Sequence, residues 1–131
     1  FNTYNGKILI KTINNESTSY NANIIIYENR SIIQIKKPFI GNVMNINIYS
    51  GSLPIADPQI NNSEFAEIIS TNGQYTHDIL FDCIKKGSID KKILKEVNLN
   101  IVCRKDKSNT IMMMSFERNE IKILIKGKGI E

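Results

Sequence analysis

A change of hydrophobic spacing between Ser63 and Gly87 constrains the fold of this chain more than any other feature. Before this stretch, and after Val97, apolar residues alternate with polar ones, which is the spacing of half-buried strands. Within it they recur at helical spacing, in two groups separated by Asn72-Gly73. The sequence therefore predicts a helix, a turn and a second helix between two runs of strands. The residues predicted to join these helices to the sheet are Phe65, Ile68, Ile69, Ile79, Leu80, Cys83 and Ile84.

Capping residues set the expected limits of the two helices. Ser63 is a suitable N-cap for the first, because its hydroxyl can accept from a free backbone N–H of the first turn. The second restarts at Thr76 or Asp78, and Gly87 is a suitable stop. A last short helical piece is predicted between Ser88 and Val97.

Seven runs of alternating or β-branched residues predict strands. Four precede the helical stretch, at 7–13, 23–27, 31–37 and 41–49, and three follow it, at 99–104, 110–116 and 121–126. Residues 50–62 are expected to form a loop or a short edge segment. Residues 111–114 are apolar on both sides, which predicts a central strand covered on both faces.

The chain of 131 residues is long enough for one domain with its own core, and its charged fraction of 23% is typical of a folded unit. The first residue is Phe1, so we expect a domain that was cut from a longer protein or processed. No apolar run is long enough to span a membrane as a helix. The expected fold is a single α+β domain over residues 1–131. It would be a seven-stranded antiparallel β-sandwich or barrel with the helix-turn-helix between strands 4 and 5.

The two cysteines do not form a disulfide framework by count alone. Cys83 lies on the apolar face of the second helix, and Cys103 shares a strand face with Leu99 and Ile101. The sequence therefore predicts buried free thiols in a reducing compartment.

The residues that carry catalysis are sparse. His77 is the only histidine, and one imidazole with two dispersed cysteines does not match the paired ligands of a zinc site. At a helix start, His77 is interpreted as a capping or surface residue. Asp78 and Asp82 lie opposite the apolar face and are interpreted as solvated. We therefore expect no enzyme activity, no metal, no cofactor and no small-molecule ligand.

Positive charge is concentrated in one part of the chain. Residues 85–107 contain eight cationic and three acidic side chains, a local excess of five, within a chain whose net charge is +4. Such a patch suits phosphate backbones or acidic protein tails, and the alternative is a solvated helix face. No aromatic residues interleave with the lysines, which disfavours a stacking platform for single strands. The predicted basic patch is Lys85, Lys86, Lys91, Lys92, Lys95, Arg104, Lys105 and Lys107.

Three short motifs resemble one superfamily of head domains. They are the Phe-Ala-Glu-Ile-Ile run at 65–69, the Asn-Gly-Gln-Tyr turn at 72–75, and the helical spacing of 79–84. The run Phe-Glu-Arg-Asn at 116–119, followed by alternating isoleucines, is similar to the last hairpin of one member. The superfamily contains the end-joining ligase cofactor (XRCC-four), the cartwheel protein spindle-assembly-abnormal six, and the basal-body protein coiled-coil-domain-containing sixty-one. The order of four strands, a helix-turn-helix and a three-strand meander matches it, and the competing assignments are an unrelated α+β domain or a pleckstrin-like barrel.

The resemblance implies a non-enzymatic dimeric scaffold, with a globular head followed by a coiled-coil stalk. It places a head-to-head contact at the last hairpin, and in the cartwheel branch a large apolar side chain at the hairpin tip plugs the partner head. Here the tip is charged, so we expect weak pairing through the head. The residues of this expected self-association hairpin are Phe116, Glu117, Arg118, Asn119, Glu120 and Ile121.

Three functions follow as hypotheses. The first is an intracellular scaffold head of a centriole or basal body, which self-associates and touches microtubules through the basic patch. The second is a nuclear scaffold head of the end-joining ligase complex, which contacts duplex DNA. The third is a protein-interaction module unrelated to the superfamily.

Overall fold

The computed structural model describes residues 2–11, 17–37, 41–57, 73–97, 99–106, 109–116 and 119–130. The predicted first helix lies outside the described residues, together with Phe65, Ile68 and Ile69. Within the described ranges the chain forms eight strands and two α-helices.

The strands occupy nearly all of the chain on either side of the helices. The seven predicted strands are present, and several are longer than the apolar pattern indicated. An eighth, three-residue strand forms at the edge of the sheet within 50–62, where a loop or a short edge segment was predicted. The strands are β1 (Asn2–Lys11), β2 (Ser17–Ile26), β3 (Arg30–Lys37), β4 (Gly41–Tyr49), β5 (Ile55–Asp57), β6 (Asn100–Asp106), β7 (Asn109–Phe116) and β8 (Asn119–Ile130).

All eight strands belong to one antiparallel sheet with the order β5-β4-β3-β2-β1-β8-β7-β6. The strands before the helices form one meander and those after them form a second. The two meanders join where β1 pairs with β8, from Thr3 opposite Ile130 to Lys11 opposite Glu120. Gly6 lies in this junction, and a Cβ added there would stand 2.6 Å from the backbone oxygen of Leu124. The close approach of the two backbones therefore requires glycine.

The second predicted helix is confirmed as α1 (Thr76–Lys86), which follows a 3-10 turn at Gly73–Tyr75. It ends at Gly87, whose φ of 75° is left-handed and whose N–H donates to the Cys83 carbonyl at 3.0 Å. The short α2 (Lys91–Glu96) begins after Asp90, whose carboxylate accepts from the N–H of Lys92 at 2.9 Å. The predicted helical piece between Ser88 and Val97 is therefore present.

One face of the sheet packs around α1. This helix contacts β3, β4 and β7. In a flat sheet β4 and β7 would be about 24 Å apart, at about 4.8 Å a strand. A helix of this length is only about 16 Å long and 10–12 Å wide. The sheet must therefore curve around the helix. The predicted helix residues Ile79, Leu80, Cys83 and Ile84 are all buried in the resulting core, which confirms the second half of the predicted contact. From the sheet the core takes Tyr4, Ile8, Ala22, Ile24, Ile26, Ile33, Ile35, Ile46, Ile48, Met112, Met114, Ile121, Ile123 and Ile125.

The coarse prediction of an α+β fold with an antiparallel sheet is confirmed. The methionine-rich strand β7 is an interior strand, paired with β6 and β8 as expected, but the expected cover on both faces is not found among the described residues. Met112 and Met114 are buried against the helix side, whereas Ile111 and Met113 face the other side and are only partly buried. Within the described residues, this strand is therefore covered fully on one face.

Cys83 of α1 and Cys103 of β6 form a disulfide. The prediction of free thiols is therefore wrong, although Cys103 does share its strand face with Leu99 and Ile101 as expected. The apolar spacing of the helix and of β6 identified two inward-facing cysteines. It did not show that the curvature of the sheet brings β6 to the helix. The bond ties the helix to an edge strand that shares no direct pairing with the strands of the first meander.

Candidate functional site

The structure distributes the predicted basic patch over several surfaces, and its members at the end of α1 take part in packing. The Nζ of Lys85 stands 5.7 Å from the centre of the Tyr4 ring, and Lys86 is paired with Asp82 at 3.3 Å. The side chain of Lys105 lies against Gly87, with its Cδ 3.2 Å from where a Cβ would be. Cations at a helix C-terminus are also stabilised by the helix dipole. These lysines therefore have a structural explanation.

The remaining members of the patch do not share one face. Lys91, Lys92 and Lys95 are exposed on α2, whereas Arg104 points to the outer face of β6, away from the helix. Lys107 lies outside the described residues. A function for the patch as a unit stays a prediction.

The expected self-association hairpin connects β7 and β8, where Phe116 pairs with Asn119. Glu117 and Arg118 lie outside the described residues. Glu120 is exposed, and Ile121 is fully buried in the core. Ile121 is therefore not available as an apolar anchor for a partner, and head-to-head contact stays a prediction.

The burial of two ionisable side chains of α1, His77 and Asp82, differs from the prediction. His77 is only 1% exposed, so its interpretation as a capping or surface residue is wrong. Its Nδ1 is 2.6 Å from the Ser31 hydroxyl, and its Nε2 is 2.9 Å from the Glu28 carbonyl oxygen. Ser31 has no exposed surface, so this serine–histidine pair is closed to a substrate. Asp82, predicted to be solvated, is also buried, beside Lys86.

The outer face of the sheet carries a cluster of cations that the sequence did not reveal. On β1 the buried residues alternate with exposed ones, and Lys7 is among the exposed. Lys7 pairs with Leu124 of β8, and the two outward residues flanking Leu124 along β8 are Lys122 and Lys126. Diagonal neighbours on a sheet are about 7–8 Å apart. We call Lys7, Lys122 and Lys126 the lysine triad.

Further cations extend this cluster along one row of the sheet. Lys7 pairs with Asn21, which pairs with Lys36, so the two lysines are two strands, or about 10 Å, apart. In the other direction the same row runs through Leu124 and Ile111 to Arg104 of the predicted patch. The row therefore places a cation on β3, β1 and β6.

Few carboxylates balance these charges among the described side chains. The acidic ones on this face are Glu120, next to Lys122 along β8, and Asp106, next to Arg104 along β6. No carboxylate of the described residues forms an ion pair with the lysine triad. The middle of the face is therefore a positive surface of regularly spaced side chains.

Neutral amides form the neighbouring row. Asn5, Asn23, Gln34 and Asn45 stand opposite one another on successive strands. Among the described residues, the buried Oδ1 of Asn45 has no hydrogen-bond partner. Amide side chains offer both donors and acceptors, so this row can bind polar groups next to the cations.

An aromatic cluster with one arginine closes the same face at the β2–β3 turn. The guanidinium of Arg30 lies 4.4 Å from the centre of the Tyr27 ring, and Arg30 pairs across the sheet with Tyr49. Side-chain hydrogen bonds with two tyrosines raise the pKa of Arg30 above its ordinary value, and the bond with Tyr49 contributes more than the bond with Tyr27. Tyrosine and arginine are enriched where proteins bind partners.

A cleft of about 390 Å³ lies on another side, between the β4–β5 connection and the start of the helices. Its lining, as far as the described residues form it, includes the charged side chain of Glu96 and apolar surface from Leu53, Tyr75 and Val97. Within the described residues, no group of three or more metal-ligating side chains is present. The helices seen in these ranges are also too short or too polar to cross a membrane.

The sequence contained a signal for the outer face, but not the strand order needed to use it. The lysines of β1 and β8 recur at even spacing within apolar runs, which places each set on one face of its strand. Only the pairing of β1 with β8, more than 100 residues apart in sequence, brings the sets together.

Comparison of the chain with protein-family models, with curated proteins and with solved structures finds no match.

Proposed function

We propose that this chain is a non-enzymatic interaction domain that binds an anionic partner on the outer face of its sheet. The observation that carries the proposal is the lysine triad, together with Lys36 and Arg104 in the same region of the face. Five cations on a single curved sheet attract a partner electrostatically, and binding releases the counterions of a polyanion.

The core supports this surface. The strands that present the cations turn their other face to α1, where Ile8, Ile123 and Ile125 are fully or almost fully buried. A rigid scaffold positions binding side chains with little loss of conformational freedom upon binding.

Nuclear magnetic resonance of the labelled chain, titrated with inorganic polyphosphate, tests the proposal. We expect shift changes for amides of β1, β3 and β8. Shift changes confined to α2 and the end of α1 would instead assign binding to the basic patch predicted from the sequence. No shift changes at low salt would overturn an anion-binding role for either surface.

We also propose that the domain is a head of the XRCC-four-like kind. The support is the order of elements, with four long strands before the helices and three after them, although the short β5 is additional. The cytoskeletal and DNA-repair roles, with microtubules or duplex DNA as partners, stay predictions. The Cys83–Cys103 disulfide gives these intracellular roles no support, because thiols in the cytosol and nucleus are kept reduced. We propose instead that the domain works in an oxidising compartment.

A further inference from the structure

The outer face of the sheet has a composition that selects among polyanions. The described side chains next to the lysine triad are Asn5, Leu9, Asn21, Met113, Glu120 and Leu124, and none of them is aromatic. The two tyrosines described on this face, Tyr27 and Tyr49, flank Arg30 at the far end of β2 to β4. Proteins that bind single-stranded nucleic acids stack bases on aromatic side chains within a basic groove. Among the described residues, no such side chain lies beside the triad.

The spacing of the cations fits a linear chain of anions. The triad spans about 7–8 Å from Lys7 to each of its diagonal neighbours, and Lys36 continues the surface by about 10 Å. These positions are fixed by strand register, because each lysine extends from a strand paired on both sides. The adjacent row of Asn5, Asn23 and Gln34 can bind hydroxyl groups of the same ligand.

The disulfide indicates where such a ligand would be met. An oxidising compartment is the secretory pathway, the cell exterior or a periplasm. Sulfated polysaccharides are one class of linear polyanion of the cell exterior, and they combine anions for lysines with hydroxyls for amides. We propose that the outer face, through Lys7, Lys122 and Lys126, binds a sulfated polysaccharide chain. This inference rests on the proposed anion-binding function and adds the class of partner.

Two triple variants with equal changes in charge test the inference. The first is Lys7→Gln, Lys122→Gln and Lys126→Gln, and the control is Lys91→Gln, Lys92→Gln and Lys95→Gln on α2. All six lysines are at least partly exposed, so both variants should remain folded, which urea unfolding verifies. Binding to heparin is measured by calorimetry at several salt concentrations, with unsulfated hyaluronan, single-stranded DNA and phosphatidylserine vesicles as comparison ligands.

We expect the unmodified chain to bind heparin at least about tenfold more tightly than the three comparison ligands. The triad variant should lose about tenfold or more in affinity, and its salt slope should fall by about 3, or about 1 for each lysine. The α2 variant should retain binding.

Each contrary result has a separate meaning. Equal losses in both variants would overturn the inference, because attraction by overall charge would then explain the binding. Preference for DNA or vesicles, lost only in the triad variant, would overturn the polysaccharide but leave the anion-binding function standing. No binding to any of the ligands would overturn both.

Discussion

His77 shows at the scale of one residue how the helix is attached to the sheet. A carbonyl oxygen can only accept, so Nε2 carries the proton and donates to Glu28. In the neutral ring Nδ1 then accepts from the hydroxyl of Ser31. Both partners belong to the β2–β3 hairpin region, so one buried side chain fixes the start of α1 to the first meander.

We therefore predict that Ser31 and His77 are energetically coupled. Ser31→Ala and His77→Phe should each destabilise the fold by about 1–3 kcal/mol, since each leaves a buried polar group without its partner. The double variant should lose less than the sum, with a coupling energy of about 0.5–3 kcal/mol in urea unfolding. Ser50→Ala is the control, because that exposed hydroxyl has only a long 3.5 Å contact with Asp78. Additive losses within about 0.5 kcal/mol would show that the hydrogen bond contributes nothing specific.

At the scale of elements, the junction of β1 and β8 depends on Gly6. We predict that Gly6→Ala destabilises the fold by about 1–3 kcal/mol, because a Cβ would contact the backbone oxygen of Leu124 at 2.6 Å. Amide hydrogen exchange should show the loss of protection first in β1 and β8. Gly51→Ala is the comparison variant: its φ of 76° strains any side chain although the space around it is open, so its loss of stability should leave the protection of β1 and β8 unchanged. An unchanged exchange pattern in β1 and β8 for Gly6→Ala would contradict this account.

The second prediction at the scale of elements concerns the stabilisation that the disulfide provides. It closes a loop with a sequence separation of 20, for which loop-closure entropy gives a stabilisation of about 3 kcal/mol. The oxidised chain should therefore unfold at higher urea than the reduced chain. The double variant Cys83→Ala, Cys103→Ala should be insensitive to reductant, and peptide mapping without reduction should find the two cysteine peptides joined. Free thiols in a chain purified from an oxidising host would overturn this prediction.

Local patterns determined the elements well, since they depend on side-chain spacing and caps. The limits of α1 followed from Gly87, and its buried face followed from the spacing of Ile79, Leu80, Cys83 and Ile84. The burial of His77 could not be predicted in the same way. Its burial is stabilised by partners 46 and 49 positions away in sequence, which periodicity within a helix does not detect.

At the scale of the whole molecule, strand order decides where charges meet. Proximity in sequence groups the lysines between Lys85 and Lys107. The structure groups lysines of β1 and β8, since the two meanders join at these strands. To predict a site that extends across several strands, the order of the strands must therefore be known. The composition of each strand face, by contrast, can be predicted from the sequence.

The last prediction concerns association between whole molecules. Tight interfaces are anchored by a few apolar or aromatic side chains that fill a partner's pocket. At the β7–β8 hairpin, Ile121 has no exposed surface, and the exposed Glu120 is costly to desolvate without a matching cation. The lysine triad on the outer face also repels a second copy, since the same face would oppose it in a two-fold dimer.

We therefore expect residues 1–131 to sediment as a monomer at about 10 μM, with pairing no tighter than the tens-of-micromolar range. Glu120→Lys tests pairing through the hairpin, and Lys122→Glu tests repulsion between sheet faces. The two residues are matched, because they lie two positions apart on the same face of β8. If two molecules pair weakly through the hairpin, Glu120→Lys should change the fraction of dimer at high concentration. Lys122→Glu should raise association for a different reason, because it reduces the repulsion between the two sheet faces. A tight dimer that ignores salt and both substitutions would overturn this account and would require an apolar interface elsewhere on the molecule.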